Sequence, residues 1–275
     1  MYRLTVLFAA LVTMTAQQSA PLLPYETLFY EHDGLKLETY LYKPQGAGPF
    51  PLIVYNHGST LPDQEPEEWA APFIARLFVP AGYAVLVPER RGYGKSEGAR
   101  FSQDIGAERG PRYVARMRAE AGDVNAAVEF ILKHAGPSLD PARLAIVGPS
   151  FGGVVTTLAA SQSKRYRAVV VQAPGAINWE KSPELRDALT SAAAKLRVPT
   201  HCSVAENDAT TKSALGICEA AAGAGAKTTL KIYPKFESGR ERPGNPPGHA
   251  LFSPAGVSVW QQDVLDFLTT ALTAR

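Results

Sequence analysis

The sequence predicts an α/β fold, with a mostly parallel central sheet, helices on both faces and antiparallel strands at the N-terminal edge. Three observations lead there. Two strand-like runs joined by a tight turn come first. Short apolar runs rich in β-branched residues then alternate with segments of helical spacing. Midway through that alternation, one strand runs directly into a glycine-flanked serine and a helix.

The elements follow in order. Glu26 to His32 and Leu35 to Tyr42 read as strands, and Asp33-Gly34 between them is a strong hairpin-turn signal. A loop rich in Pro and Gly runs from Lys43 to Pro51. Leu52-Ile53-Val54-Tyr55 has the short apolar character of a strand buried on both faces. Glu67 to Ala81 reads as a helix stopped by Gly82, and Tyr83 to Val87 as the next strand. Arg118 to His134 places Val124, Val128, Ile131 and Leu132 on one side of a helix. Leu144 to Val147 is a strand and Val154 to Ser161 a helix. The alternation continues with a strand at Ala168 to Val171, a helix at Pro183 to Leu196 and a strand at Val198 to Val204. It closes with a helix at Thr211 to Ala222, a strand at Thr228 to Tyr233 and a helix at Val257 to Thr270. No linker or internal repeat interrupts the pattern, so residues 21–275 read as a single domain.

Composition narrows the function classes. Hydrophobic residues make up 45% and charged residues 20%, as in water-soluble globular chains. A formal net charge of +2 gives no field that would draw nucleic acid or an anionic membrane. No zinc-type cysteine spacing, phosphate-cradling loop or heptad array occurs, so neither a metal nor an organic cofactor is implied. The pattern sets no oligomeric state.

Residues 1–20 differ from the rest. Arg3 precedes an uncharged apolar run, Leu4 to Met14, which is too short to span a bilayer, and small residues follow up to Ala20. This reads as a signal peptide cut after Ala16 or Ala20, hence as export to a periplasm or the medium. A buried N-terminal helix or an uncleaved anchor is the alternative. Cys202 and Cys218 are the only cysteines. They read either as a bridge formed in an oxidising compartment or as two buried thiols.

Gly148-Pro149-Ser150-Phe151-Gly152 matches G-x-S-x-G, and its setting between strand and helix gives the match weight. A nucleophile on a sharp turn stands its Oγ above the sheet, but the turn crowds strand against helix. Gly148 and Gly152 remove side chains that would collide. Such a serine needs a base and an acid, in the chain order nucleophile, acid, histidine. Asp208 lies just past the Val198–Val204 strand, at the sheet edge where the serine stands, with Glu206 as rival acid. Two histidines follow Ser150. His201 falls inside a strand and reads as a core residue. His249, in the loop Pro246-Pro247-Gly248-His249, can reach Ser150 and reads as the base.

Together these residues resemble the α/β-hydrolase superfamily, in its dienelactone-hydrolase-like branch, related to prolyl-oligopeptidase-like catalytic domains. The resemblance runs from about Tyr25 to the C-terminus. It is carried by His57-Gly58, Arg91-Gly92-Tyr93-Gly94-Lys95-Ser96-Glu97-Gly98, the Ser150 elbow, Asn207-Asp208 and Gly248-His249. It implies an oxyanion hole built from the backbone N–H groups of Ser59 and Phe151. His57 precedes the acid in the chain, so it reads as holding its loop rather than taking part in chemistry. The resemblance also implies that the glycines of the Arg91–Gly98 segment serve turn geometry at the pocket floor. Dienelactone hydrolases proper carry a cysteine nucleophile, so the serine here points to the ester-cleaving members. Related peptidases carry a large extra domain that this length does not accommodate. The expectation is acyl-enzyme hydrolysis of a small or medium carboxylic ester. The alternatives are a peptidase or amidase, and a non-catalytic binding protein on the same fold. Ala99 to Met117 and Ala176 to Leu196 are candidates for a small cover over the pocket. Lys235, Arg240 and Arg242 read either as carboxylate binders or as a solvated basic loop.

Overall fold

Eight strands form one sheet in the computed structural model, which describes residues 23–59, 70–239 and 244–273. They are β1 (Glu26–His32), β2 (Leu35–Tyr42), β3 (Phe50–Tyr55), β4 (Ala84–Pro88), β5 (Leu139–Pro149), β6 (Tyr166–Gln172), β7 (Thr200–Ala205) and β8 (Thr228–Tyr233). Their spatial order is β1-β2-β4-β3-β5-β6-β7-β8. The predicted hairpin is present, with β1 and β2 antiparallel from Glu26 opposite Leu41 to His32 opposite Leu35. Its turn has φ 51° at Asp33 and 73° at Gly34, the left-handed pair that a two-residue hairpin loop needs. β2 is also antiparallel to β4, and every later pairing is parallel. Every residue of β4 is buried, as are the last four of β3, so both faces of the sheet's centre are covered.

The covering helices among the described residues are α1 (Pro72–Phe78), α2 (Phe101–Asp104), α3 (Pro111–His134), α4 (Phe151–Gln162), α5 (Ala176–Trp179), α6 (Pro183–Ala193), α7 (Lys212–Gly223) and α8 (Val257–Thr273). α3, α4, α6 and α7 pack in succession, and α8 lies against β5 and β6. Two helix starts differ from the sequence expectation by more than a turn. α1 begins at Pro72 because Ala71 takes a left-handed φ of 48°, which no helix continues through. Residues 67–69 of the expected helix, and the expected signal peptide, lie outside the described residues. α3 begins at Pro111 rather than Arg118. Proline suits a first turn, and Tyr113, Val114 and Met117 extend its buried face.

Cys202 on β7 and Cys218 on α7 are buried free thiols. A hydrogen bond between them raises the Cys202 thiol and lowers Cys218 to about 7. No helix among the described residues is long and apolar enough to cross a membrane.

The topology locates the site. The chain steps outward from β3 to β4, then returns to place β5 on the other side of β3. Strand order therefore reverses between β3 and β5, and ligands of open α/β sheets bind beyond the strand ends at such a reversal.

Candidate active site

β5 ends at Pro149, and Ser150 turns the chain with φ 54° and ψ −119°. A non-glycine residue in that conformation stores about 1–3 kcal/mol of strain and persists only when its surroundings hold it. Here the Ser150 N–H donates to the Gln172 carbonyl at 2.7 Å. The Ser150 carbonyl accepts from the N–H groups of Gly153, Val154 and Gly175 at 3.1, 3.3 and 3.1 Å. A β-carbon on Gly152 would collide with the carbonyl oxygen of Asn56, and one on Gly148 with the backbone of Gly152. The β3 exit is in turn sewn to the elbow: Asn56 N–H donates to the Val147 carbonyl, and Asn56 Nδ2 to Thr156 Oγ1, each at 2.8 Å.

Three residues from distant parts of the chain meet at this turn. Ser150 Oγ lies 2.8 Å from His249 Nε2. His249 Nδ1 lies 2.9 Å from both carboxylate oxygens of Asp208. A carboxylate only accepts, so Nδ1 carries the proton and Nε2 offers its lone pair to the serine hydroxyl. The Asp208 side chain is fully shielded from solvent, and its Oδ1 also accepts from the Ala209 N–H at 2.6 Å.

The acid and histidine loops are keyed to one another. Asn207 accepts from the Phe236 N–H and donates to the Phe236 carbonyl, both at 3.0 Å, which ties the chain after β8 to the end of β7. The Gly248 N–H donates to the Asn207 carbonyl at 3.3 Å, and a β-carbon on Gly248 would strike Asn207. Glu206 is exposed and is not a partner of His249. His201 is a core residue, its ring centroid 5.4 Å from that of Phe267, and burial lowers its pKa to about 4.

The opposite wall comes from β3 and β4. A β-carbon on Gly58 would lie 3.7 Å from Ser150 Cβ, so the loop carrying Ser59 runs alongside the serine. Phe151 is the first residue of α4, and its N–H has no intrahelical acceptor. The buried His57 ring packs edge-on to Tyr93 at 4.9 Å, with Nδ1 2.8 Å from the Gly58 carbonyl and Nε2 3.3 Å from Glu89. It braces the loop, as read from the sequence.

Behind that loop lies a cluster of buried charges. Glu120 accepts from Arg90 Nε and Arg116 Nε, both at 2.9 Å, and Asp123 holds the Arg91 side chain through two bonds of 2.8 and 2.6 Å and its backbone N–H at 3.1 Å. Gly92, Gly94 and Gly98 have φ of 77°, 51° and 100°, so the glycines of this segment do serve turns. The two expected cover segments meet beside Phe151. Phe101 stands edge-on to Phe151 at 5.1 Å, while Asn178 accepts from Arg109 at 3.2 Å and donates to the Tyr113 hydroxyl at 3.1 Å. Lys235 is exposed, and Arg240 and Arg242 lie outside the described residues. The sequence reading passed over Arg90, whose signal was a charged pair set directly against an all-apolar strand end.

Sheet order, elbow and site edge together define an α/β-hydrolase. The model of the X-Pro dipeptidyl-peptidase (S15) family matches residues 33–201, more than half of the chain. The chain belongs to that family and has the α/β-hydrolase fold. The match includes Ser150 and ends before Asp208 and His249. Among curated relatives, the quorum-quenching protein AidA of Acinetobacter baumannii is 31% identical over 156 residues, covering 57% of this chain and 45% of the relative. The chain thus spans less than half the length of that relative. An esterase from Pyrococcus furiosus superposes with a TM-score of 0.66 at 16% identity, covering 91% of this chain and 93% of the other. The acylaminoacyl peptidase of Pyrococcus horikoshii gives 0.66 at 15% identity, covering 92% of this chain and 42% of the other. At such identities the superpositions speak for the fold.

Proposed function

We propose that this protein is a serine hydrolase cleaving small or medium carboxylic esters through an acyl-enzyme intermediate. The observation that carries this reading is the connected run from Ser150 Oγ through His249 to Asp208, with 2.8 Å at the serine and 2.9 Å at the acid. Ser150 attacks the ester carbonyl as His249 Nε2 takes its proton. Asp208 holds the ring in the required tautomer and stabilises its charged form. The N–H groups of Ser59 and Phe151 hold the oxyanion. His249 then protonates the departing alcohol, and a water activated by the same ring releases the acid. The paired rings of Phe101 and Phe151 suit an apolar group beside the serine.

Hydrolysis of p-nitrophenyl acetate and butyrate by the wild type, beside Ser150→Ala, tests this reading. Activity lost in the folded variant is the expected result, and activity that survives the substitution overturns it. The S15 family match favours a second reading, cleavage of amides. A p-nitroanilide turned over as fast as the p-nitrophenyl ester of the same acyl group selects that one. Absence of labelling by a fluorophosphonate selects a binding role instead. The leader-like residues 1–20 support export as part of the proposal, and cell fractionation tests it.

A further inference from the structure

We propose that Arg90 is a positioning residue for this reaction, holding both oxyanion-donating segments from beneath; the inference rests on the triad reading above. Arg90 follows β4 and is fully buried. Glu120 on α3 fixes it through Nε at 2.9 Å. Its other side-chain contacts go to the two segments in question and to Tyr93. Nη2 donates to the His57 carbonyl at 3.1 Å, two residues before Ser59. The guanidinium carbon lies 5.4 Å from the ring centroid of Phe151, whose N–H is the other donor, and 5.0 Å from that of Tyr93. Nη1 is buried with no hydrogen-bond acceptor among the described residues, so the aromatic faces carry part of the balance of that charge.

Glu120, shared with Arg116, fixes the Nε edge of the guanidinium, and the buried Glu89 also favours its charge. The remaining contacts pin the peptide that leads into Ser59 and the ring that leads α4. Oxyanion donors act on charge that develops in the transition state, so small errors in their aim lower kcat and leave substrate binding in place. The planar guanidinium suits this post because it bonds along its edge while stacking on its face. Lysine would supply the charge without the fork.

The test compares Arg90→Met and Arg90→Lys with the wild type and Ser150→Ala. It reads kcat and KM on p-nitrophenyl butyrate, inhibition by phenylboronic acid, which forms a tetrahedral adduct with the serine, and the melting temperature. In Arg90→Met, kcat is expected to fall about 100-fold with KM within about threefold, and boronate affinity to fall in step with kcat. Arg90→Lys is expected to fall between that variant and wild type. A folded Arg90→Met with kcat within about threefold of wild type, or with boronate affinity unchanged, overturns the inference. If Arg90→Met does not fold, Phe151→Leu serves. It keeps the backbone N–H and removes the ring above Arg90, with an expected drop in kcat and boronate affinity of about tenfold. Unchanged values there overturn the inference equally. If Ser150→Ala leaves esterase activity intact, the triad reading falls and this inference with it. If it abolishes activity, the Arg90 variants judge the inference alone.

Discussion

The two walls beside Ser150 are held by different physics. On the β3–β4 side, His57, Glu89, Arg90, Glu120 and Asp123 are all buried, and their bonds join segments far apart in sequence. On the β7–β8 side the tethers are few and mostly use the backbone: the Asn207 amide against Phe236, the Gly248 N–H on the Asn207 carbonyl and the Ala209 N–H on Asp208. The first wall surrounds groups that must stay still. The second carries the histidine, which in the proposed reaction gives and takes a proton. Damage to the first wall should therefore register in stability as well as turnover, and damage to the second in turnover alone.

The largest effect tests the second wall. Asp208→Asn keeps the shape and reverses the tautomer preference of His249, so kcat should fall about 10⁴-fold while the melting temperature stays close to wild type. Glu206→Gln, at the exposed rival acid, should leave kcat within about twofold. Steady-state kinetics on one p-nitrophenyl ester decide both. Equal losses in the two variants would mean that the acid is wrongly assigned.

The contrast between the walls also explains what the sequence could disclose. The elbow was legible because its determinants are local: a strand, two glycines and a serine within a few residues. The placement of Asp208 and His249 beside Ser150 was legible because chain order and strand ends point to it. The charged wall was not, because Arg90 and Glu120 are 30 positions apart and only the fold brings them into contact. Nothing about an arginine in isolation says that its charge will be buried. The start of α3 was missed for a related reason. The expected helix was begun from its apolar spacing further on, whereas Pro111 and a buried Tyr113 settle its first turn.

The next effect is in stability. Glu120→Ala leaves Arg90 and Arg116 without their shared acceptor inside the protein, which should cost about 3–5 kcal/mol in urea unfolding. A loss under about 1 kcal/mol would show that the buried cluster is not what fixes this wall. Gly248→Ala should do the reverse. Its methyl group would push the histidine loop off Asn207, and a shift near 1 Å costs about 100-fold in kcat, with most of the folding stability retained. A variant that loses stability but keeps its kcat would abolish the distinction between the walls.

The smallest effect tests whether the β7 side has a pH-sensitive element of its own away from the reacting groups. His201 is buried beside Phe267, and burial lowers its pKa from 6.5 to about 4. The unfolded chain therefore takes up a proton near pH 6.5 that the folded chain refuses until about pH 4. His201 contributes fully to stability above the unfolded value, and that contribution is lost as pH falls through this window. Between pH 7 and pH 5 the loss should be about 2 kcal/mol. His201→Leu has no such proton to exclude, so its unfolding free energy, measured by urea titration at pH 7, 6 and 5, should decline less than that of wild type by this amount. Parallel curves would mean that the folded protein accommodates a charged His201, drawing on Asp263, whose charge favours that form. The β7 side would then tolerate a second buried charge besides that of Asp208, and the difference between the walls would lie in their number of tethers alone.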